Sequence, residues 1–455
     1  MAEAFGTGWA DILLIFLFNI LFLVAAFIKF NKYDVRQERK ETMLMSIIRK
    51  EILLNLLSYK FSIITILSTM LILVSIFVMY GDYCLVLENY EILQMKSEDT
   101  PVVIPPTPLG IFAKALDENL CRSYERGFGG GISVSRNRQS VNNLFKLFTT
   151  PDLLYVIKVI LSLCAMLFAF DIISGEKETG TLRQSLSNDL KRPILIIAKW
   201  IGGFTSFILP FFIAVLLGTI FVTLSPMLDM NAQDWAKLGL FLLSSVIYLA
   251  VFFSLGLLIS CLTHRPSTSL VISLFVWAIL VFLIPNLGNI LARQLVRIPT
   301  VQQLELKREQ ILIRRELEVN RPQTTRHEIM AAHKRFNSEN EMLGEDYRNR
   351  FNRLATISEN ITRISPAAAF TFLATGIMGT GMLEERKLKR AVLQYMNIAG
   401  DWDYRKGDRP AFKYQRSSFR EAVGPGGLGN CLILILFNVL FFTGAYVAFL
   451  RYDAR

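Results

Sequence analysis

Charge is scarce in this chain: 19% of its 455 residues are Asp, Glu, Lys or Arg, 52% are hydrophobic, and the mean hydropathy is +0.40. An ordinary soluble domain is about one quarter charged, so that class is excluded. Histidine numbers only three. Two of them, His327 and His333, flank Glu328 in HEIMAAH, a near miss to the zinc motif H-E-x-x-H. That motif needs its histidines four apart on one helical face; here Ala331 takes the ligand position, which argues against metalloprotease chemistry. No G-x-x-x-x-G-K-[ST] loop occurs either, and the glycines of GFGGG at 127–131 lack the following lysine and hydroxyl. ATP hydrolysis is therefore excluded by that route. Ionisable groups are few inside the apolar runs. Lys158 is the clearest, and it lies near the end of its run, where it can snorkel. A proton relay would need more of them. Of five cysteines, Cys164, Cys261 and Cys431 fall within apolar runs, while Cys84 and Cys121 share a polar segment and would be able to pair in an oxidising compartment.

Long apolar runs are what the chain has in quantity. A helix needs about 20 apolar residues to cross a hydrocarbon core of ~30 Å. Seven runs qualify, at roughly 12–29, 61–80, 153–173, 194–223, 238–261, 269–290 and 430–450. The long polar segments 81–151 and 291–429 must then lie outside the bilayer. Basic residues favour the cytoplasmic side of short loops. Lys29, Lys32, Arg36, Arg39 and Lys40 follow the first run, whereas the residues before it carry acids and no base. The N-terminus is therefore expected outside, and the first run is not a cleavable signal peptide. Segments 174–193 and 262–268 and the C-terminal Arg451 and Arg455 come out inside, while the loop 224–236, with Asp229 and Asp234, comes out outside. The segment 291–429 is basic yet falls outside, an exemption that long translocated domains have. The net charge of +11 is explained by bases facing anionic lipid, and no nucleic-acid partner is expected.

Two cytoplasmic stretches carry the functional signal. Residues 42–58 place Leu44, Ile47, Ile48, Ile52 and Leu56 on one helical side and Arg49, Lys50 and Asn55 on the other. Such a helix lies in the membrane interface, or it extends the second span. Its Ile48, Arg49, Lys50 and Glu51 lead directly into the membrane. The second stretch is FDIISGEKETGTLRQSLSNDLKRPILIIAKW, residues 170–200. Ser174 is placed to cap a short helix, with Glu176 and Glu178 in its first turn, where negative charge suits the dipole. Leu182 and Leu186 form a small apolar ridge beside Glu178 and Arg183, and Pro193 closes the loop. A short amphipathic helix between two spans has the shape of a plug for a groove on a soluble partner; an ordinary solvated loop is the alternative.

The run ISGEKETGTLRQSLS followed by KRPILIIAKW resembles the signature of type-2 ATP-binding-cassette export permeases, and IIRKEILLNLLSYKFSI is similar to the lead-in helix and first span of that family. The resemblance implies that Glu176, Lys177, Glu178, Thr179, Gly180, Leu182, Arg183 and Leu186 form a coupling helix, at 174–190, seated on a separate ATPase subunit. The chain itself would hold no cofactor; ATP and Mg would belong to that subunit. Further expected partners are a second copy or a related permease, membrane lipids, and a periplasmic or envelope protein. The expected location is the cytoplasmic (inner) membrane, multi-pass, with the C-terminus in the cytoplasm. An additional N-terminal run and large exterior segments depart from the common pattern.

The expected fold is an all-α polytopic membrane protein with about seven spans. Its parts are an extra N-terminal helix with basic linker (1–40), the amphipathic helix and a span (41–80), an exterior segment (81–151), four spans with the coupling helix (152–290), a large exterior helical domain (291–429), and a last span with its tail (430–455). Within the exterior domain, 299–364 is helical in composition and broken at Asn320, Arg321 and Pro322. Phe336, Leu343, Tyr347, Phe351, Leu354, Ile361 and Ile364 recur at spacings near three and four, predicting a hairpin that rises from the membrane. Ser365 and Pro366 read as an N-cap and first helical position. The short apolar run after them reads as an interfacial or re-entrant helix, or as core of the exterior domain.

Overall fold

The computed structural model describes residues 43–95, 102–121, 124–126, 132–134, 151–187, 191–225, 227–322, 325–400, 412–422 and 424–452. The N-terminal run 12–29 with its basic linker, the GFGGG run and most of the 400–411 linker lie outside the described residues.

Twelve principal helices are described: α1 Met43–Leu56, α2 Tyr59–Met95, α3 Leu153–Glu178, α4 Thr181–Ser187, α5 Arg192–Thr223, α6 Ala232–Leu262, α7 Pro266–Leu295, α8 Val301–Val319, α9 Arg326–Thr362, α10 Pro366–Met378, α11 Met382–Gly400 and α12 Pro425–Leu450. A small antiparallel pair, β1 Tyr124–Arg126 and β2 Ile132–Val134, accompanies them, with Tyr124 opposite Val134. Helices α2, α3, α5, α6, α7 and α12 are long and apolar enough to cross a membrane. The fold is thus an all-α polytopic membrane protein, as the apolar runs predict. Proline marks where several helices begin: α5, α7, α10 and α12 each carry it in the first turn, where no backbone N–H is needed.

Short loops force α3, α5, α6 and α7 to alternate in direction, which gives the molecule two ends. One, here the base, carries α1, α4 and the 263–265 turn. The other, the crown, carries the long polar segments. Helix α6 is the central pillar, mostly buried, while α7 and α12 are largely exposed. Tyr248 of α6 is fully buried, stacked at 4.3 Å on Phe370 of α10. Its hydroxyl donates to the Lys158 carbonyl at 2.7 Å. That carbonyl belongs to a π-helical stretch, Val156–Leu161, inside α3. A second such stretch, Ile279–Leu283, interrupts α7, and there the Ser365 hydroxyl donates to the Leu280 carbonyl. Backbone groups that a π-turn loosens must be satisfied within the protein at membrane depth, and these hydroxyls do so.

Ser365 also settles how the segment 362–396 runs. Thr362 packs where Gly288 of α7 lacks a side chain, and Ser365 reaches Leu280, near the middle of α7. From there α10 climbs past Phe241 and Tyr248 to Gly379, whose carbonyl is held by Arg416 at 3.2 Å. Helix α11 then bends away by 44° and buries Leu388, Val392 and Met396 with Val102, Ile104 and Leu120 of the crown. The segment therefore dips in and returns on one side. Parity requires the same: α7 ends and α12 begins at the crown. Ser365 caps α10 and Pro366 opens it, as expected from the sequence.

Above the crown, α8 and α9 form a hairpin turning at 320–325. At ~1.5 Å per residue α9 is about 55 Å long. The seam is thin: Arg315 covers the Phe336 ring at 4.7 Å, and Arg314–Glu339 and Arg335–Glu318 pair across it. Phe351 and Ile364 depart from the predicted stripe and are exposed, at 49% and 63%. The near-zinc motif has a structural role. Glu328 and Thr325 form a capping box that starts α9, with Thr325 N–H donating to the Glu328 carboxylate at 2.8 Å. That backbone bond, with the Thr325 hydroxyl, holds the exposed Glu328 carboxyl below the usual range.

Candidate functional site

The signature stretch 170–200 lies at the base, but it is not one helix. Helix α3 unwinds over 170–173, resumes as Ser174–Glu178, breaks at Gly180 and continues as α4. Gly180 has φ +75°, with open space where a side chain would stand, so the backbone conformation and not crowding calls for glycine. Ser174 does not cap. It is buried inside the helix, its hydroxyl donating to the Phe170 carbonyl at 2.9 Å. The capping role falls to Ser260 of α6, whose hydroxyl accepts from the N–H groups of Ile173 and Ser174, both at 3.0 Å.

The Leu182 and Leu186 ridge points the other way from the plug expected. Leu182 is 1% exposed, in a cluster with Ile173, Leu195, Ile196, Leu257 and Phe449, and Leu186 packs against it. The physical reason is that the ends of α5, α6 and α12 also present apolar side chains here, and burying the ridge against them removes both from water. What remains outward is polar: Glu178, Thr179, Gly180, Thr181, Arg183 and Gln184 are all exposed.

Beneath this edge the charged residues divide between two sides of the bundle. The Lys177 ammonium donates to the carbonyls of Cys261, at 2.5 Å, and Thr263, at 3.0 Å, and lies 4.8 Å over the Tyr452 ring. Glu176 turns the opposite way, to Lys199 of α5 at 2.8 Å. The same ammonium binds Glu51 of α1, also at 2.8 Å. Lys199 is 3% exposed, Glu51 16% and Glu176 30%. One helical turn further along α5, Gly202 lets α1 come close: a side-chain carbon there would stand 2.8 Å from Cβ of Glu51 and 3.2 Å from the Ile48 carbonyl oxygen. Helix α1 is therefore docked on α5. Its Lys50 is exposed, as are Met45 and Leu54. Nearby, Lys60 at the start of α2 pairs with Asp171, and Arg192 donates to the carbonyls of Leu450 and Tyr452 at 2.9 Å each. Three sequence runs, IIRKE, SGEKE and KRPILIIAKW, thus converge on one buried ammonium.

A profile of the ABC-2 family transporter proteins matches residues 9–454. The chain belongs to the ABC-2 transporter family. No curated protein matches the chain. An ABC-2 transporter protein is the transmembrane component of its system and not the ATPase, and the family implies an ATP-binding-cassette ATPase as partner.

In this ABC-2 permease, sequence reasoning singled out Glu51 and Glu176 separately but missed Lys199 and its pairing with both. The signal was available: an isolated lysine inside an apolar run needs a partner, and Lys199 fits that description better than Lys158. At the crown, Cys84 and Cys121 are both free thiols. The Cys121 sulfur lies 3.9 Å from Arg416, whose guanidinium also binds Asp117 at 2.8 Å and the Pro105 carbonyl at 2.9 Å. Burial, reinforced by the Asp117 charge, pushes the Cys121 thiol up to about 12. Among the described residues no cluster of His, Cys, Asp and Glu suits a metal ion.

Proposed function

We propose that this chain is the transmembrane permease subunit of an ATP-binding-cassette exporter. A separate ATPase subunit, holding ATP and Mg, seats on the exposed polar edge from Glu178 to Gln184. The observation that carries this reading is the contrast across one short stretch: its polar side chains are outward and its apolar ones, Leu182 foremost, are buried in the spans. A push on the edge is delivered to the whole base at once, because Leu182, Lys177 and Glu176 are anchored to different spans. In this reading the base is cytoplasmic, the N-terminus and crown lie outside, and the membrane is the cytoplasmic one. A second copy or a related permease completes the pathway. Sidedness follows from the bases that cluster at the base of the bundle.

The test is co-purification in mild detergent of the wild-type chain and the variants Glu178→Lys and Arg183→Glu. Both residues are exposed, so the fold should hold. Each reversal is expected to reduce the recovered ATPase subunit by about tenfold, the equivalent of about 1.4 kcal/mol. Equal recovery from all three, together with undiminished transport, would remove this edge from the coupling route.

A second reading is favoured by the hairpin. An arm about 55 Å long, α9, stands on α7 and reaches beyond what a pore needs. The chain would then relay ATPase motion to a periplasmic or envelope partner. Replacing 309–341 by a short flexible linker separates the two: retained cargo movement supports export, and loss of a captured envelope protein with ATPase association intact supports the relay.

A further inference from the structure

We propose that Lys199 is a positioning residue that locks α1 and the 174–187 segment into one lever on α5. This rests on the coupling role proposed above for that segment. The geometry is specific. One ammonium, 3% exposed, sits 2.8 Å from an oxygen of Glu51 on α1 and 2.8 Å from an oxygen of Glu176 on the segment. The two carboxylates belong to elements more than a hundred residues apart, and they stand no further from each other than twice that distance. Two ionised carboxylates this close repel unless a cation or a shared proton lies between them; here the Lys199 ammonium is that cation.

Three further observations single out Lys199 as the charged link, beside the apolar packing of Leu182 with Leu195, Ile196 and Ile47. The second oxygen of Glu176 is buried with no hydrogen-bond partner, so the carboxylate is held from one direction only, by Lys199. The neighbouring Lys177 does not substitute, being committed to the carbonyls of Cys261 and Thr263 and to the Tyr452 ring. Gly202 lies three residues after Lys199 on the same face of α5, and its missing side chain lets α1 sit backbone-close at the level of Ile48 and Glu51. Close packing therefore fixes α1 along α5, and the ammonium fixes the segment to both. A displacement of the segment is transmitted to α1 and α5 together, while Lys177 carries it separately to α6 and α12.

A residue that only stabilised the fold would lower the melting temperature without changing how these elements move. The test distinguishes the two. Spin labels are placed at Met45 on α1 and Ser185 on α4, neither in the exposed edge, with a reference pair at Ser185 and Met342 on the hairpin. The complex co-purified with its ATPase is placed in lipid nanodiscs, and distances are measured without nucleotide and after trapping with ATP and vanadate. In wild type the Met45–Ser185 distance is expected to stay narrow and unchanged on trapping, while Ser185–Met342 changes. In Lys199→Met the Met45–Ser185 distribution is expected to broaden about twofold already without nucleotide, as loss of one partner frees the uncompensated charges. Lys199→Arg, which keeps the charge, restores the narrow distribution. Glu176→Gln, isosteric and still leaving Glu51 paired, reproduces the broadening and serves if Lys199→Met does not fold. A narrow, nucleotide-independent Met45–Ser185 distance in both Lys199→Met and Glu176→Gln overturns the proposal. If wild type shows no Ser185–Met342 change on trapping, it is the coupling role that fails, and the nucleotide-free comparison still decides the clamp.

Discussion

Gly180 and Gly202 lack a side chain for different reasons, and their variants should separate accordingly. Gly180 has room but sits at φ +75°, so Gly180→Ala is expected to cost about 1 kcal/mol through backbone strain, read as a lowered melting temperature in detergent. Gly202 is in ordinary helix but faces Glu51 and Ile48. Gly202→Val should cost about 1–3 kcal/mol by overpacking and lift α1 from α5, read as new tryptic cleavage at Lys50. Cys121 offers a third single-residue test. A thiol at about 12 rather than 9.0 carries about a thousandfold fewer thiolates at pH 8. In a chain whose only cysteine is Cys121, alkylation should be correspondingly slow and should accelerate in Asp117→Asn, which removes a charge that raises the thiol. Fast alkylation at pH 8 would contradict the burial seen. Such a protonated thiol is also a poor partner for disulfide exchange with Cys84.

Elements show which faces are spent on the fold and which are left for partners. Because α4 buries Leu182, Leu182→Asp should destabilise the base outright, and Leu182→Ala should cost about 2–5 kcal/mol by cavity formation, seen as earlier thermal aggregation. Glu178→Lys, on the outward face, should leave the melting temperature unchanged. The opposite pattern would mean that the ridge faces outward after all. The re-entrant turn makes a comparable demand: Ser365→Ala leaves the Leu280 carbonyl without its hydroxyl donor and is expected to cost about 1–3 kcal/mol, measured by the same melts. The capping box of α9 overlaps the metal-like run HEIMAAH: Glu328 lies inside it, and Thr325, two residues before His327, completes the T-x-x-E spacing. The Ser365–Pro366 helix start was legible because both residues act locally, within one turn.

For the molecule as a whole, membrane sidedness is the organising prediction. A cysteine placed at Met342 of the hairpin is expected to react with a membrane-impermeant reagent added outside intact cells, and one placed at Arg183 only after the membrane is opened; the reverse would invert the topology. The sequence by itself determined that the chain is all-α and membrane-embedded, where its six described spans run, and where the hairpin turns, because apolar length, proline position and turn chemistry are properties of contiguous residues. The GEKE-to-GTL run carried the coupling expectation, and its described residues form two short helices at the base. Only the tertiary structure decided that the ridge faces inward, that 362–396 returns to the side it came from, and that Glu51, Glu176 and Lys199 meet at one point. Each depends on which surfaces of distant helices come together, and the burial of a charge or a leucine is a property of that meeting and of no single stretch of chain.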